Sequence, residues 1–409
     1  MSIPVSLSEA IARQRDKVIA YQTSMTAMPA LGPDNGGTGE LPKALYLEGV
    51  LRKLGCTDIE RIDAPDARVP GGVRPNIAAR IPGASPRTLW IMGHMDVVPT
   101  GELSQWKTDP WSVVVEGDRI IGRGVEDNQQ AIVCALLVAG ELLASGVTPD
   151  LSLGLLFVAD EETSNTYGIH HVLKTRPDLF KPDDFVVVPD YGVPDGSCIE
   201  IAEKGQLWLK VTVKGVQCHA SRPQEGHNSL VAAADMILHV RDLEALYPEQ
   251  NPLFDPSVST FVPTRHEENV PNINSLPGLD AFYLDCRILP GVSHEAVIAS
   301  VRAIMEPIAA RHEVAVAVSV VQSSEAAPAT PSDSEVVRRL AAGIRTVYGV
   351  EPRCNGVGGG TVAVGFRRMG IPAAVWASLV PTCHIANEYS LISKTLGDAQ
   401  VLAGMLFDA

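Results

Sequence analysis

The stretch from Leu89 to Ser164 constrains the fold more than any other part of the chain. It holds two apolar runs, Leu89-Trp-Ile-Met-Gly-His-Met-Asp96 and Ser152-Leu-Gly-Leu-Leu-Phe-Val-Ala-Asp-Glu-Glu162, with Gly122-Arg-Gly-Val-Glu-Asp-Asn128 between them. Short apolar runs bounded by polar residues are the pattern of strands buried on both faces of a parallel sheet. Each run ends abruptly in side chains that bind metals or move protons. In an open α/β sheet, ligands sit outside the carboxyl ends of the strands, so His94, Asp96, Glu161 and Glu162 are expected at one sheet edge. Asp127 joins them from the start of a helix over residues 128–144; Asp127 or Asn128 can cap that helix, and Gly146 lies just past its end. Histidine with carboxylates and no cysteine is the ligand set of a hydrolytic zinc, manganese or cobalt site.

Two more strands end in the same chemistry. Phe185-Val-Val-Val-Pro-Asp190 delivers a carboxylate, and a strand over 373–379 runs into Thr382-Cys-His-Ile-Ala-Asn-Glu-Tyr389, which carries His384. Asp96, two residues past His94, can accept the imidazole N–H and fix its tautomer. Asp160-Glu161-Glu162 in isolation reads as a solvated acidic turn. Delivered by a buried strand, three carboxylates at one point raise one another's pKa unless a cation compensates. One glutamate can then bind metal while its neighbour stays free as a base.

A chain of 409 residues exceeds one typical core, and two domains are expected. Residues 6–23 read as one amphipathic helix with Ile11, Val18, Ile19 and Tyr21 on its buried face, and 41–54 as a second helix. The pattern changes after residue 205. Residues 206–215 alternate apolar and polar, as a half-exposed antiparallel strand does. A helix over 228–246, strands over 257–264 and 280–289, a helix over 293–311 and a strand over 313–322 follow. That is the β-α-β-β-α-β, ferredoxin-like order. The fold expected is therefore α/β: a mostly parallel central sheet flanked by helices, built from 1–205 and 324–409, with a ferredoxin-like domain inserted at 206–323.

A formal charge of −15 argues against a nucleic-acid partner, because phosphate binding takes clustered Lys and Arg, and against an anionic membrane surface. No apolar run approaches the ~18 residues of a membrane span. The first residues carry no basic-then-apolar leader. Seven scattered cysteines without a CxxC pair read as the reduced thiols of a cytoplasmic protein.

The order HxD, D, EE, D, H resembles the M20 metallopeptidase family, the group of aminoacylases, acetylornithine deacetylase, succinyl-diaminopimelate desuccinylase and carboxypeptidase G2. The resemblance spans essentially the whole chain. It implies a zinc-exopeptidase-like catalytic domain, and an inserted lid that also pairs subunits into a homo-oligomer. It further implies one or two divalent metal ions. Asp127 would bridge them, His94 and Asp190 would complete one site, and Glu162 and His384 the other. Glu161 is then the general base, and Asp96 orients His94.

Further matches lie outside the metal motifs. Gly215-Val-Gln-Cys-His-Ala-Ser-Arg-Pro223 resembles the lid histidine motif, which makes His219 the group that polarises the scissile bond; read alone, it is a surface-loop histidine. Asn274-Ser-Leu-Pro277 and Asp285-Cys-Arg287 resemble a substrate-carboxylate clamp of Asn274 and Arg287. The fork of Arg287 suits a carboxylate, and an interstrand salt bridge is the other reading. Gly358-Gly-Gly-Thr361 resembles a loop whose Gly359, Gly360 and Thr361 bring backbone N–H groups to the substrate, and it lacks a phosphate-loop lysine. The chain departs from the family at Asn128-Gln-Gln130, where Lys-Gly-Gly is common, at Val362, where Asp is common, and at Tyr191 and Cys383 beside two of the ligands.

The function implied is hydrolysis of the amide C–N bond of a small carboxylate-bearing substrate, an N-acyl amino acid or dipeptide. An alternative on the same site is an aminohydrolase that releases ammonia from an aromatic amine such as 5-nitroanthranilate, with Tyr191 against the ring. A third reading, a non-catalytic binding protein on this fold, expects a ligand or the base to be missing.

Overall fold

In the computed structural model, which describes residues 4–407, the two apolar runs fold as strands Thr88–His94 and Ser152–Val158, with every residue of both buried. They pair in parallel with Trp90 opposite Gly154. A Cβ on Gly154 would stand 2.4 Å from the Trp90 indole, so the ring occupies the space that a side chain at 154 would take. Around this pair an eight-stranded sheet has the order Asp58–Pro65, Val73–Ile81, Ser152–Val158, Thr88–His94, Phe185–Gly192, Ala373–Ala377, Cys198–Glu203, Arg353–Val357. The four central strands run parallel, so the carboxyl ends of the strands holding His94, Val158 and Gly192 lie along one edge with that of Ala377. Antiparallel strands flank this centre: Val73–Ile81 on one side and Cys198–Glu203 on the other. The sheet is thus mixed, and the strands Cys198–Glu203 and Arg353–Val357 were not anticipated from the sequence.

Helix Gln129–Ser145 is buried from Gln129 through Leu142, the mark of a helix surrounded by protein rather than amphipathic. Gly146 ends it in the left-handed conformation at φ 66°. Asn128 holds the N-cap position but makes no side-chain cap hydrogen bond, so neither it nor Asp127 performs the capping expected of them. The single helix expected over 6–23 is two, Val5–Ala12 and Arg15–Thr26; Ile11 and Val18 are buried, whereas Ile19 and Tyr21 are only half-buried.

These elements, apart from the ends of Cys198–Glu203 and Arg353–Val357, belong to the first of two units, which holds the chain up to Ile201, Thr330–Cys354 and the chain from Thr361 onward. The second comprises Ala202–Ala329 and Asn355–Gly360. Its antiparallel sheet has the order Thr260–His266, Leu279–Ile288, Gly205–Lys214, Ala315–Ser324. Strand Gly205–Lys214 buries Leu207, Leu209, Val211 and Val213, every second residue, against helices Ser229–His239 and His294–Arg311. Asn228 caps the first of these helices, accepting from the N–H groups of Leu230 and Val231. The helix expected over 228–246 breaks after His239 and resumes as Asp242–Leu246.

Among the described residues, no helix is long and apolar enough to cross a membrane. All seven cysteines are unpaired thiols.

Candidate metal centre

Four segments meet at the carboxyl edge of the parallel strands. His94 closes strand Thr88–His94, and its Nε2 lies 3.0 Å from Asp127 Oδ1 and 3.7 Å from Asp190 Oδ1. His384 approaches the same carboxylate from its other oxygen: Nε2 is 3.0 Å from Asp127 Oδ2 and 3.1 Å from Glu162 Oε2. One carboxylate therefore stands between two imidazoles. His94, Glu161 and Asp190 offer ligand atoms within 4.8 Å of one another, and so do His94, Asp127 and Glu162. Tyr191 follows Asp190, half-buried, and packs against an apolar cluster that contains Val362 and Phe366. Val362 is therefore a core residue.

The electrostatics fit a cation. Burial raises the Glu161 carboxyl well above its ordinary pKa; Asp190, Glu162 and Asp96 add to this and His94 opposes it. Burial likewise lifts Glu162, to about 7, against the pull of His384. The hydrogen bonds of His384 to Asp127 and Glu162 push it up to about 10. Burial disfavours charge on His94, but Asp127, Asp190 and Asp96 more than offset it and hold its pKa well above the usual imidazole value. Asp127 is also buried, yet its bonds to both histidines draw its pKa down. Two imidazoles, His94 buried and His384 exposed, among four half-buried carboxylates form a set that would suit a divalent cation.

The supports differ from expectation at two points. Asp96 does not hold the His94 ring chiefly through its carboxylate: Nδ1 is 3.0 Å from the Asp96 backbone oxygen and 3.5 Å from Oδ1. The Asp96 carboxylate instead accepts the N–H groups of Glu161 at 3.1 Å and Glu162 at 2.9 Å, so it fixes the glutamate turn. Asp160, the first of the three acids, does not join the others. It adopts φ 62°, a left-handed conformation that Asp tolerates, and its carboxylate accepts from Ser164 Oγ, Thr163 Oγ1 and the Tyr167 N–H. Behind it, fully buried Arg74 pairs with Glu40 and lies 3.5 Å from Asp160. An Arg74→Leu protein should lose about 3–5 kcal/mol of unfolding free energy, because Glu40 and Asp160 keep buried charge without a cation to pair with. Urea denaturation measures this; a loss below about 1 kcal/mol contradicts it.

Several residues at the site carried no sequence signal of their role. Asn128 accepts the His94 N–H at 3.1 Å and donates to Pro189 O and Asp190 Oδ1, both at 2.8 Å. Gln130 donates to the same Pro189 oxygen at 2.7 Å. A Cβ on Gly93 would stand 2.9 Å from Asn128 Oδ1, so glycine there lets the amide close on the strand end. The departure at Asn128-Gln-Gln130 was the visible clue. Buried Lys43 donates to Met95 O at 2.8 Å; burial lowers its pKa to about 8, although Asp96, Glu40 and Glu388 oppose the shift.

In the second unit, the pair Cys218–His219 aligns with Ser275–Leu276, and the Ala220 N–H donates to Asn274 O at 2.9 Å. This brings exposed His219 and Asn274 together within that unit. The Ser221 N–H donates to His219 Nδ1 at 3.1 Å, which makes the neutral ring the Nε2–H tautomer. Arg287 is paired with Asp285 on its own strand, at 2.7 and 3.0 Å, and donates to Gly358 O at 2.9 Å. Its fork is filled from within the protein, and a substrate carboxylate would have to displace Asp285. With the Gln206 amide oriented to suit its donors, its oxygen accepts from the Gly360 N–H at 2.9 Å, while Gly359 stands open. Thr361, at the start of the next segment of the first unit, accepts the Ala363 N–H at 3.2 Å.

Residues 90–408 match the model of peptidase family M20/M25/M40. An uncharacterized metallohydrolase of Methanococcus maripaludis is 33% identical over 96% of this chain and 99% of its own. A succinyl-diaminopimelate desuccinylase of Gluconobacter oxydans is 30% identical over 90% and 91%. The crystal structure of human carnosine dipeptidase 1 superposes with a TM-score of 0.77 at 16% identity, over 99% of this chain and 98% of that one; it shares the fold.

Proposed function

The chain belongs to peptidase family M20/M25/M40 and is a metallohydrolase, and on that premise we propose that it hydrolyses the amide C–N bond of a small carboxylate-bearing substrate, an N-acyl amino acid or a dipeptide. The observation that carries this reading is the Asp127 carboxylate shared between His94 and His384, with Glu161 beside it. His94, Asp127 and Asp190 would hold one zinc, manganese or cobalt ion, and Asp127, Glu162 and His384 a second. Such an ion supplies positive charge that makes a water easier to deprotonate and stabilises a developing oxyanion. Glu161 takes the proton of the attacking water and later delivers it to the leaving nitrogen.

The roles that the family resemblance gives His219, Asn274, Arg287 and the loop of Gly359, Gly360 and Thr361 belong to the same proposal. The Nε2–H tautomer of His219 gives it the donor such a role needs. Exposed Leu230, Val231 and Leu238 on helix Ser229–His239 support subunit pairing through the second unit. The free thiols fit a cytoplasmic location.

Half-buried Tyr191, next to Asp190, favours a second reading in which the same machinery releases ammonia from an amino-aromatic acid. The non-catalytic alternative falls away, since the chain belongs to a family of metallohydrolases and the base and all five proposed ligands are present. The test is a screen of succinylated and acetylated amino acids, dipeptides and aminobenzoates with metal-loaded protein. Release of a free amino acid is expected; ammonia together with the matching hydroxybenzoate, and no acid released from an amide, would support the second reading instead.

A further inference from the structure

Two buried glutamates lie beside the centre, belong to neither ligand set, and each reaches into the other's segment. Glu388, 0% exposed, stands four residues after His384. Its Oε1 accepts the N–H groups of Glu126 at 2.9 Å and Asp127 at 3.1 Å. Its Oε2 accepts from Arg123 Nη1 at 2.7 Å and from the Gly124 N–H at 3.0 Å. Glu126, 3% exposed and adjacent to Asp127, answers in the opposite direction: its Oε1 accepts the Val380 N–H, four residues before His384. The Gly122 N–H also donates to the Glu388 backbone oxygen at 3.0 Å.

We propose that Glu388 and Glu126 are positioning residues that lace the Asp127 segment to the His384 segment, so that the shared carboxylate and the His384 imidazole are aligned before a cation arrives. This rests on the reading that Asp127 and His384 hold metal. The two segments are more than 250 residues apart in sequence, and these two buried side chains tie one to the other. A carboxylate suits the task at 388 because it only accepts, and it meets four donors. A glutamine there would turn its NH₂ toward two N–H donors whichever way the amide lies, so two of the four bonds would be lost. Glu126 makes a single accepting bond, which a glutamine oxygen can replace and a leucine cannot.

Zinc titration into metal-stripped wild type, Glu388→Gln, Glu126→Gln, Glu126→Leu and Asp127→Asn separates the possibilities. Glu388→Gln and Glu126→Leu are expected to bind zinc about 10–100-fold more weakly, the usual cost of losing an outer partner of a ligand. Glu126→Gln should bind as wild type does, a rescue that mere filling of space would not produce. Wild-type affinity in Glu388→Gln and Glu126→Leu overturns the positioning role, and so does equal weakening in the two Glu126 variants. If Glu388→Gln does not fold, the Glu126 pair decides alone. Asp127→Asn reports on the underlying reading: wild-type zinc binding there removes the metal assignment itself, whereas its loss beside intact Glu388→Gln and Glu126→Leu affinities removes only the lacing.

Discussion

A Glu161→Gln protein is expected to keep its metal and to lose about 10²–10⁴-fold in kcat, the contribution of a positioned general base. The amide is nearly isosteric with the carboxyl, and the turn around it is held by backbone, because Asp96 takes the N–H of residue 161 whatever its side chain. What disappears is the ability to accept a proton from water and return it. The expectation is specific, because Glu161 lies within ligand distance of His94 and Asp190. If it were a ligand, the variant would lose metal along with activity. Parallel measurement of metal content and kcat distinguishes the two; wild-type kcat would leave the assigned base idle.

Asp127→Asn should do the opposite, losing metal first. Asp127 gives one oxygen to each imidazole at 3.0 Å, so it is the one residue whose two atoms serve both halves of the cluster. Asparagine removes the negative charge and turns one of those atoms into a donor. Zinc affinity should fall by more than the roughly 10–100-fold that an outer-partner change costs, and hydrolysis should drop to the assay floor. Metal analysis after dialysis checks it, and a protein that still purifies with wild-type metal content contradicts it.

Most of the residues proposed for the centre are legible because they sit at or just past the point where an apolar strand stops, and Asp127 because it precedes an apolar helix. A run such as Leu89-Trp-Ile-Met-Gly marks a buried strand, and the polar group that follows is at a sheet edge for reasons of burial alone. Their supports were not legible. The role of Glu388 consists of accepting N–H groups from a loop more than 250 residues upstream, and nothing in Asn-Glu-Tyr distinguishes that from a solvated acid. Asn128 looked like a helix cap because its position and type suit one; the end of a neighbouring strand took its amide instead. Asp160 and Glu161 are adjacent and chemically alike, but a left-handed turn at Asp160 sends their side chains to different partners. For Arg287 the sequence leaves a substrate clamp and an interstrand salt bridge open; its fork is filled by Asp285, two residues earlier on the same strand. The two strands on one side of the sheet are not legible because Cys198–Glu203 has no apolar run, and Arg353–Val357 is short and contains glycine.

The most direct test of the central claim is anomalous diffraction from crystals of the protein loaded with zinc or manganese. The peak is expected within coordination distance of Asp127 and of His94 or His384, or as two peaks flanking Asp127, with Glu161 close by but outside the coordination shell. A peak elsewhere in the chain, or none beside Asp127 under saturating metal, would contradict it.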